Sequence, residues 1–151
     1  MHDIQEALSD TIQTLWRTSF AEAGTVRTPQ PEGEHLTAEH MKASVAIGGA
    51  FDGELVVTCT TIAAQMIASR LLHCELESLD DSDIRDSLGE VANICCGNLK
   101  STLPSPTFLS PPTVFASAAS QKPESDHCQA RIVIALDRHD IVVRLYGKPT
   151  L

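Results

Sequence analysis

The sequence predicts an α+β domain in which a mainly antiparallel sheet packs against long helices. Three observations carry that class. Apolar residues recur at helical spacing in Ile4, Leu8, Ile12 and Leu15, and again in Ile84, Leu88, Val91, Cys95 and Leu99. They alternate instead in Ala43, Val45 and Ile47, in Leu55, Val57 and Cys59, in Ile132, Ile134 and Leu136, and in Ile141, Val143 and Leu145. Short turn-forming stretches join the alternating runs in pairs, which makes each pair a hairpin.

The first helix runs from about Asp3 to Phe20, and Gly24 to His35, with Pro29, Pro31 and Gly33, reads as a loop. Two strands follow, joined by a tight turn near Phe51-Asp52-Gly53. Thr60 or Thr61 can then cap a helix whose inner face holds Ala63, Met66, Ile67 and Leu71. Asp80, Asp81, Ser82 and Asp83 suit the start of a long helix over about 82–103, because acids and cap residues satisfy the positive end of its dipole. Pro104 ends it. Ser105 to Pro112 reads as a rigid, proline-marked connection, Thr113 to Ser117 as a short strand, and Ala119 to Asp126 as polar loop. The last hairpin turns at Asp137-Arg138-His139-Asp140, giving the order α, ββ, αα, βββ without a clear repeat.

With 151 residues, the chain is one domain over 1–151, long enough for a core without staples. No run approaches the roughly 18 apolar residues that cross a bilayer. Met-His-Asp-Ile-Gln-Glu at the N-terminus has neither a basic region nor an apolar signal core, so a cytoplasmic location is expected. Five cysteines without framework spacing, Cys59 and Cys95 among them on apolar faces, fit reduced thiols. A net charge of −9 with no Lys/Arg cluster argues against nucleic acid or an anionic membrane as partner.

The long helix carries the chemistry. Opposite its apolar stripe, Asp86, Glu90, Asn93 and Gly97 keep the same rhythm on the far side. Acids at i and i+4 repel by a few tenths of a kcal/mol, and a mid-helix Gly costs about 1 kcal/mol relative to Ala. A helix needing only solubility more often carries Glu/Lys pairs, so this face, turned to solvent or to a partner, is arranged for something beyond solubility.

With these pieces in place, the chain resembles the CheX branch of the CheC/FliY/CheX phosphatases of bacterial chemotaxis. Ile47-Gly-Gly-Ala-Phe51-Asp-Gly53-Glu-Leu55 is similar to the family's Gly-x-Phe-x-Gly hairpin, and Ala63 to Leu72 to the helix after it. Asp86, Glu90 and Asn93 fill the family pattern of Asp or Ser, three residues, Glu, two residues, Asn, and Gly97-Asn98-Leu99-Lys100 looks like its continuation. Ser110-Pro111-Pro112-Thr113-Val114 resembles the proline-led strand that follows, although the prolines stand closer to Asn93 than the family pattern has them. The connecting loop therefore reads as shortened.

The resemblance implies a phosphatase acting on the phosphoaspartate of a CheY-like receiver domain, with Mg²⁺ held by the receiver and no cofactor of its own. In that reading Asn93 orients the attacking water and Glu90 pairs with the receiver's active-site lysine. Asp86 and Gly97 contact the partner, Gly97 by allowing close backbone approach. It also implies a homodimer joined through sheet edges. Plainer readings stand beside these: Asp86 as a dipole-complementing acid, Glu90 as an ordinary surface residue, Gly97 as a helix-packing glycine. Two other classes compete. One is a non-catalytic receiver-binding or motor-switch-like module. The other is a metal or redox site using Cys95-Cys96 with Cys74, Cys128 or His73, although adjacent helical cysteines point about 100° apart and chelate poorly.

Overall fold

The computed structural model describes residues 4–20, 26–27, 39–117 and 128–147. Its elements are α1 (Ile4–Ser19), β1 (Val26–Arg27), β2 (His40–Gly49), β3 (Gly53–Thr60), α2 (Thr61–Leu72), α3 (Asp81–Leu99), β4 (Thr107–Leu109), β5 (Thr113–Ser117), β6 (Cys128–Leu136) and β7 (His139–Gly147). All seven strands form one antiparallel sheet in the order β1-β6-β7-β3-β2-β4, with β5 also paired to β2. The α+β class and both hairpins are as the alternation predicts. Asp137 and Arg138, at φ 45° and 76°, make the β6–β7 turn with two left-handed residues, a geometry whose twist matches that of the flanking strands.

One core lies between the sheet and the helices. Leu8, Ile12, Leu15 and Trp16 of α1, Ala63, Ala64, Ile67 and Ala68 of α2, and Ile84, Leu88, Val91, Cys95 and Leu99 of α3 are buried against Val45, Leu55, Val57, Ile132, Ile141 and Val143. Burying one such aliphatic side chain is worth about 1.5–3 kcal/mol. Met66 and Leu71, expected inside, are only partly buried, and Ala64 and Ala68 take the tighter places because the close α2–α3 approach favours small residues.

Side chains of α1 complete the outer side of β6, where β1 is too short to do so. The Gln5 amide donates to Arg131 O at 2.8 Å and accepts from Arg131 N at 3.0 Å, serving as a one-residue ladder partner. Trp16 Nε1 donates to Ala135 O at 3.1 Å. Backbone groups on both sides of the residues that β1 pairs are thereby satisfied.

Both edges of the sheet depart from the sequence reading. The Ser105 to Pro112 connection contains β4, and the Gly24 to His35 loop contains β1. β4 and β5 are in effect one strand along β2 with a fault in it. Register passes from Ile47 opposite Leu109 to Ser44 opposite Thr113, so three steps on β2 face four on the partner. That is a one-residue bulge at Ser110-Pro111-Pro112. Ser110 holds it: its N–H donates to Ala46 O at 3.0 Å, and its Oγ accepts from Ala46 N at 2.9 Å. Prolines, which have no N–H to give, are tolerated at such a place on an edge. Gly49, at φ 103°, is a required glycine, because a Cβ there would run into Pro106 O. The Ala119 to Asp126 loop lies outside the described residues.

Candidate functional site

α3 begins with a reciprocal cap. Asp83 N donates to Asp80 Oδ1 at 2.8 Å, and Asp80 N donates to Asp83 Oδ2 at 3.2 Å. Two otherwise orphaned N–H groups are satisfied, and Asp81 and Asp83 complement the dipole. The helix ends at Leu99 and tightens into a 3₁₀ turn over Lys100–Thr102, short of the expected end near residue 103. Its buried face is broader than the five-residue stripe, adding Ser87, Gly89, Ala92 and Cys96. The reason is that α3 packs against both other helices as well as β2, β3 and β5.

That leaves one narrow open strip. Asp86, Glu90, Asn93 and Gly97 are all exposed and lie along it. Successive members stand three or four residues apart, so their side chains rise on one face. Among the described residues none gives Asp86, Glu90 or Asn93 a hydrogen bond or an ion pair. A Cβ at Gly97 would meet nothing within 4 Å, so among the described residues this glycine makes room for no neighbour. The structure thus brings all four sequence-predicted residues together on a rigid, capped helix with their polar groups uncommitted.

The strip is an exposed helix face. A cavity of about 460 Å³ lies elsewhere, where the ends of α1 and α2 meet, lined by Phe20, Arg70, His73 and Cys74 among others, and no motif residue reaches it. A carboxylate and an amide presented on a convex helix suit insertion into another macromolecule's pocket better than capture of a small molecule. The thiol alternative finds no support. Cys95 and Cys96 are buried. Burial pushes the Cys95 thiol up to about 12, with Cys96 beside it adding to the rise, and the Cys96 thiol up to about 11. Among the described residues no group of three or more His, Cys, Asp or Glu is placed to hold a metal.

One flank of the strip was not foreseen. Arg85 Nη1 donates to Val114 O at 3.2 Å, and Gly89 lies under Pro112 and Val114, so β5 and its bulge form a wall along α3. The signal in the sequence was a second mid-helix glycine, but what it accommodates depends on a strand some twenty residues later.

The family model for chemotaxis phosphatase CheX matches residues 41–136. No curated protein sequence matches the chain. Among solved structures, a chain of the CheX-CheY-BeF3-Mg²⁺ complex from Borrelia burgdorferi matches with a TM-score of 0.79 at 19% identity, covering 97% of this chain and 99% of that one. A chemotaxis protein CheX from Desulfovibrio desulfuricans gives 0.76 at 18% identity, over 97% and 100%. A CheC-like superfamily protein from Shewanella sp. PV-4 gives 0.73 at 16% identity, over 99% and 100%. At these identities the structural likeness is one of fold.

Proposed function

The chain belongs to the CheX family of chemotaxis phosphatases, and from that premise we propose that it hydrolyses the phosphoaspartate of a CheY-like receiver domain, with Asn93 and Glu90 as the working residues. The observation that carries this reading is the open strip of α3, where Asp86, Glu90, Asn93 and Gly97 stand exposed and uncommitted on one face.

Hydrolysis of an acyl phosphate asks mainly for positioning and electrostatics. Asn93 supplies positioning. Its amide oxygen accepts a hydrogen bond from the attacking water, its NH₂ can donate to a phosphoryl oxygen, and it adds no negative charge to repel the phosphate. Glu90, one turn back, makes a charge-assisted bond to the receiver's active-site lysine and so fixes the register of α3 against the pocket. Asp86 continues this contact toward the receiver's rim, and the bare backbone at Gly97 admits close approach. In this reading the receiver brings Mg²⁺, which neutralises phosphoryl charge, and the described residues of this chain need supply no ligand to it.

The test is to add the purified chain to a panel of receiver domains from the same organism, each phosphorylated on aspartate, and to follow phosphate loss. Accelerated loss from at least one receiver is expected. Receivers that bind the chain yet keep or slow their own hydrolysis rate would instead establish the non-catalytic binding module.

A further inference from the structure

A glycine inside a helix lowers its stability relative to alanine, so the buried Gly89 of α3 needs a reason. A Cβ there would stand 3.3 Å from Val114 Cγ2 and 3.4 Å from Pro112 Cγ. Gly89 is therefore the seat on which the edge-strand bulge rests. Arg85, one turn earlier, ties the same strand down through Val114 O at 3.2 Å. Asn93 comes one turn later. Arg85, Gly89 and Asn93 are successive members of an i, i+4 row, which winds from the flank covered by β5 round to the open strip. Pro111, Pro112 and Thr113 are themselves exposed, so the bulge stands open to solvent where it meets α3 at Gly89, one turn before Asn93. Bulges at sheet edges commonly re-aim side chains next to sites.

We propose that Gly89 is a positioning residue for the dephosphorylation reaction. It lets the Pro111-Pro112 bulge close against α3, and the ledge so formed stops the bound receiver where Asn93 meets the phosphoryl group. This rests on the reading given under Proposed function. Affinity belongs mainly to the open strip, whereas the ledge sets the last fraction of an ångström of alignment. Displacing it therefore acts on turnover more than on binding. Small misplacements of reacting groups carry large rate costs, about 10²-fold for 1 Å.

The experiment compares wild type, Gly89→Ala and the double variant Gly89→Ala/Val114→Ala for kcat, KM and Tm on a phosphorylated receiver. The added methyl in Gly89→Ala stands 3.3 Å from Val114 Cγ2, so Val114 must give by a few tenths of an ångström, and in the proposal the adjoining ledge moves with it, while helix propensity improves. The expected result is a Tm equal to or above wild type, a kcat lower by about three- to tenfold and a KM within about twofold. In the double variant, removal of the nearest methyls of Val114 restores most of the lost kcat. A glycine with only a structural role gives the opposite pattern, a lower Tm with activity tracking the folded fraction, and that overturns the inference. Wild-type kcat in Gly89→Ala, or no recovery in the double variant, overturns it equally. Failure of wild type on every receiver overturns the functional reading itself, and is seen before any variant is compared.

Discussion

Asn93 sits exposed on a helix whose propensity it lowers. Replacing it with Ala removes no packing, so Asn93→Ala is expected to melt at or slightly above wild type. If the amide orients water as proposed, its loss should cost about 3–4 kcal/mol of transition-state stabilisation, roughly 10²–10³ in turnover, by comparison with loss of one oxyanion donor. Near-normal turnover would exclude the proposed role. Glu90→Lys puts a second cation against the receiver's lysine, so it should weaken binding as well as turnover and do so more than Glu90→Ala. Matching wild type in a titration and in the phosphate assay would remove the pairing. The buried thiols make a separate prediction. Cys59 and Cys95 are held up at about 12 and Cys96 at about 11 by burial. In the unfolded chain a thiol ionises near ~8.5. Above that pH the unfolded state sheds protons that the folded state keeps, so stability is full below about pH 8.5 and declines as pH rises toward 11–12. Urea midpoints between pH 8 and 10.5 should fall, and fall less steeply in Cys96→Ala. A flat profile in the wild type would contradict the burial of these groups.

α3 was readable in advance because its two faces differ in chemistry at every turn, and a 3.6-residue period survives whatever packs on it. Its start was readable as a cluster of cap residues and acids over Asp80 to Asp83, whereas the choice of Asp80 with Asp83 as a reciprocal box is made by the folded backbone. Asp80→Ala should cost about 1 kcal/mol in a urea melt and leave the open strip, two turns on, in place. An unchanged midpoint would mean that the box carries no weight. β4 was not readable. It has three residues between Pro106 and Pro111, too few to alternate, and its existence is decided by β2 lying alongside. The two-residue β1 was hidden for the same reason. The role of Gly89 was hidden differently: its spacing says only that a glycine interrupts a helix, and the strand it accommodates comes from elsewhere in the fold. Local period betrays faces, while non-local contact decides edges.

At the scale of the molecule the sheet has two unlike sides. α1 and β1 close the β6 side, whereas among the described residues no strand lies beyond β4 and β5. An edge of this kind is short, bulged and proline-marked, which discourages promiscuous pairing. We propose that a second copy adds its own β5 there about a two-fold axis, leaving both α3 strips outward. Light scattering at micromolar concentration should then give about twice the chain mass, and one chain mass throughout would exclude the dimer. The closed side has a consequence of another kind, in the order of assembly. The Gln5 amide grips a strand 126 residues further on. At 5–20 residues per second, synthesis takes roughly 6–25 s to deliver that strand after Gln5 has been made. Until then α1 has α3 to pack against but lacks β6, the strand it meets in the finished sheet, and the loop that joins the two is long. α1 thus completes its docking only after β6 has been made, and Trp16, the only tryptophan in the sequence, whose Nε1 donates to Ala135 O, becomes a built-in reporter of that step.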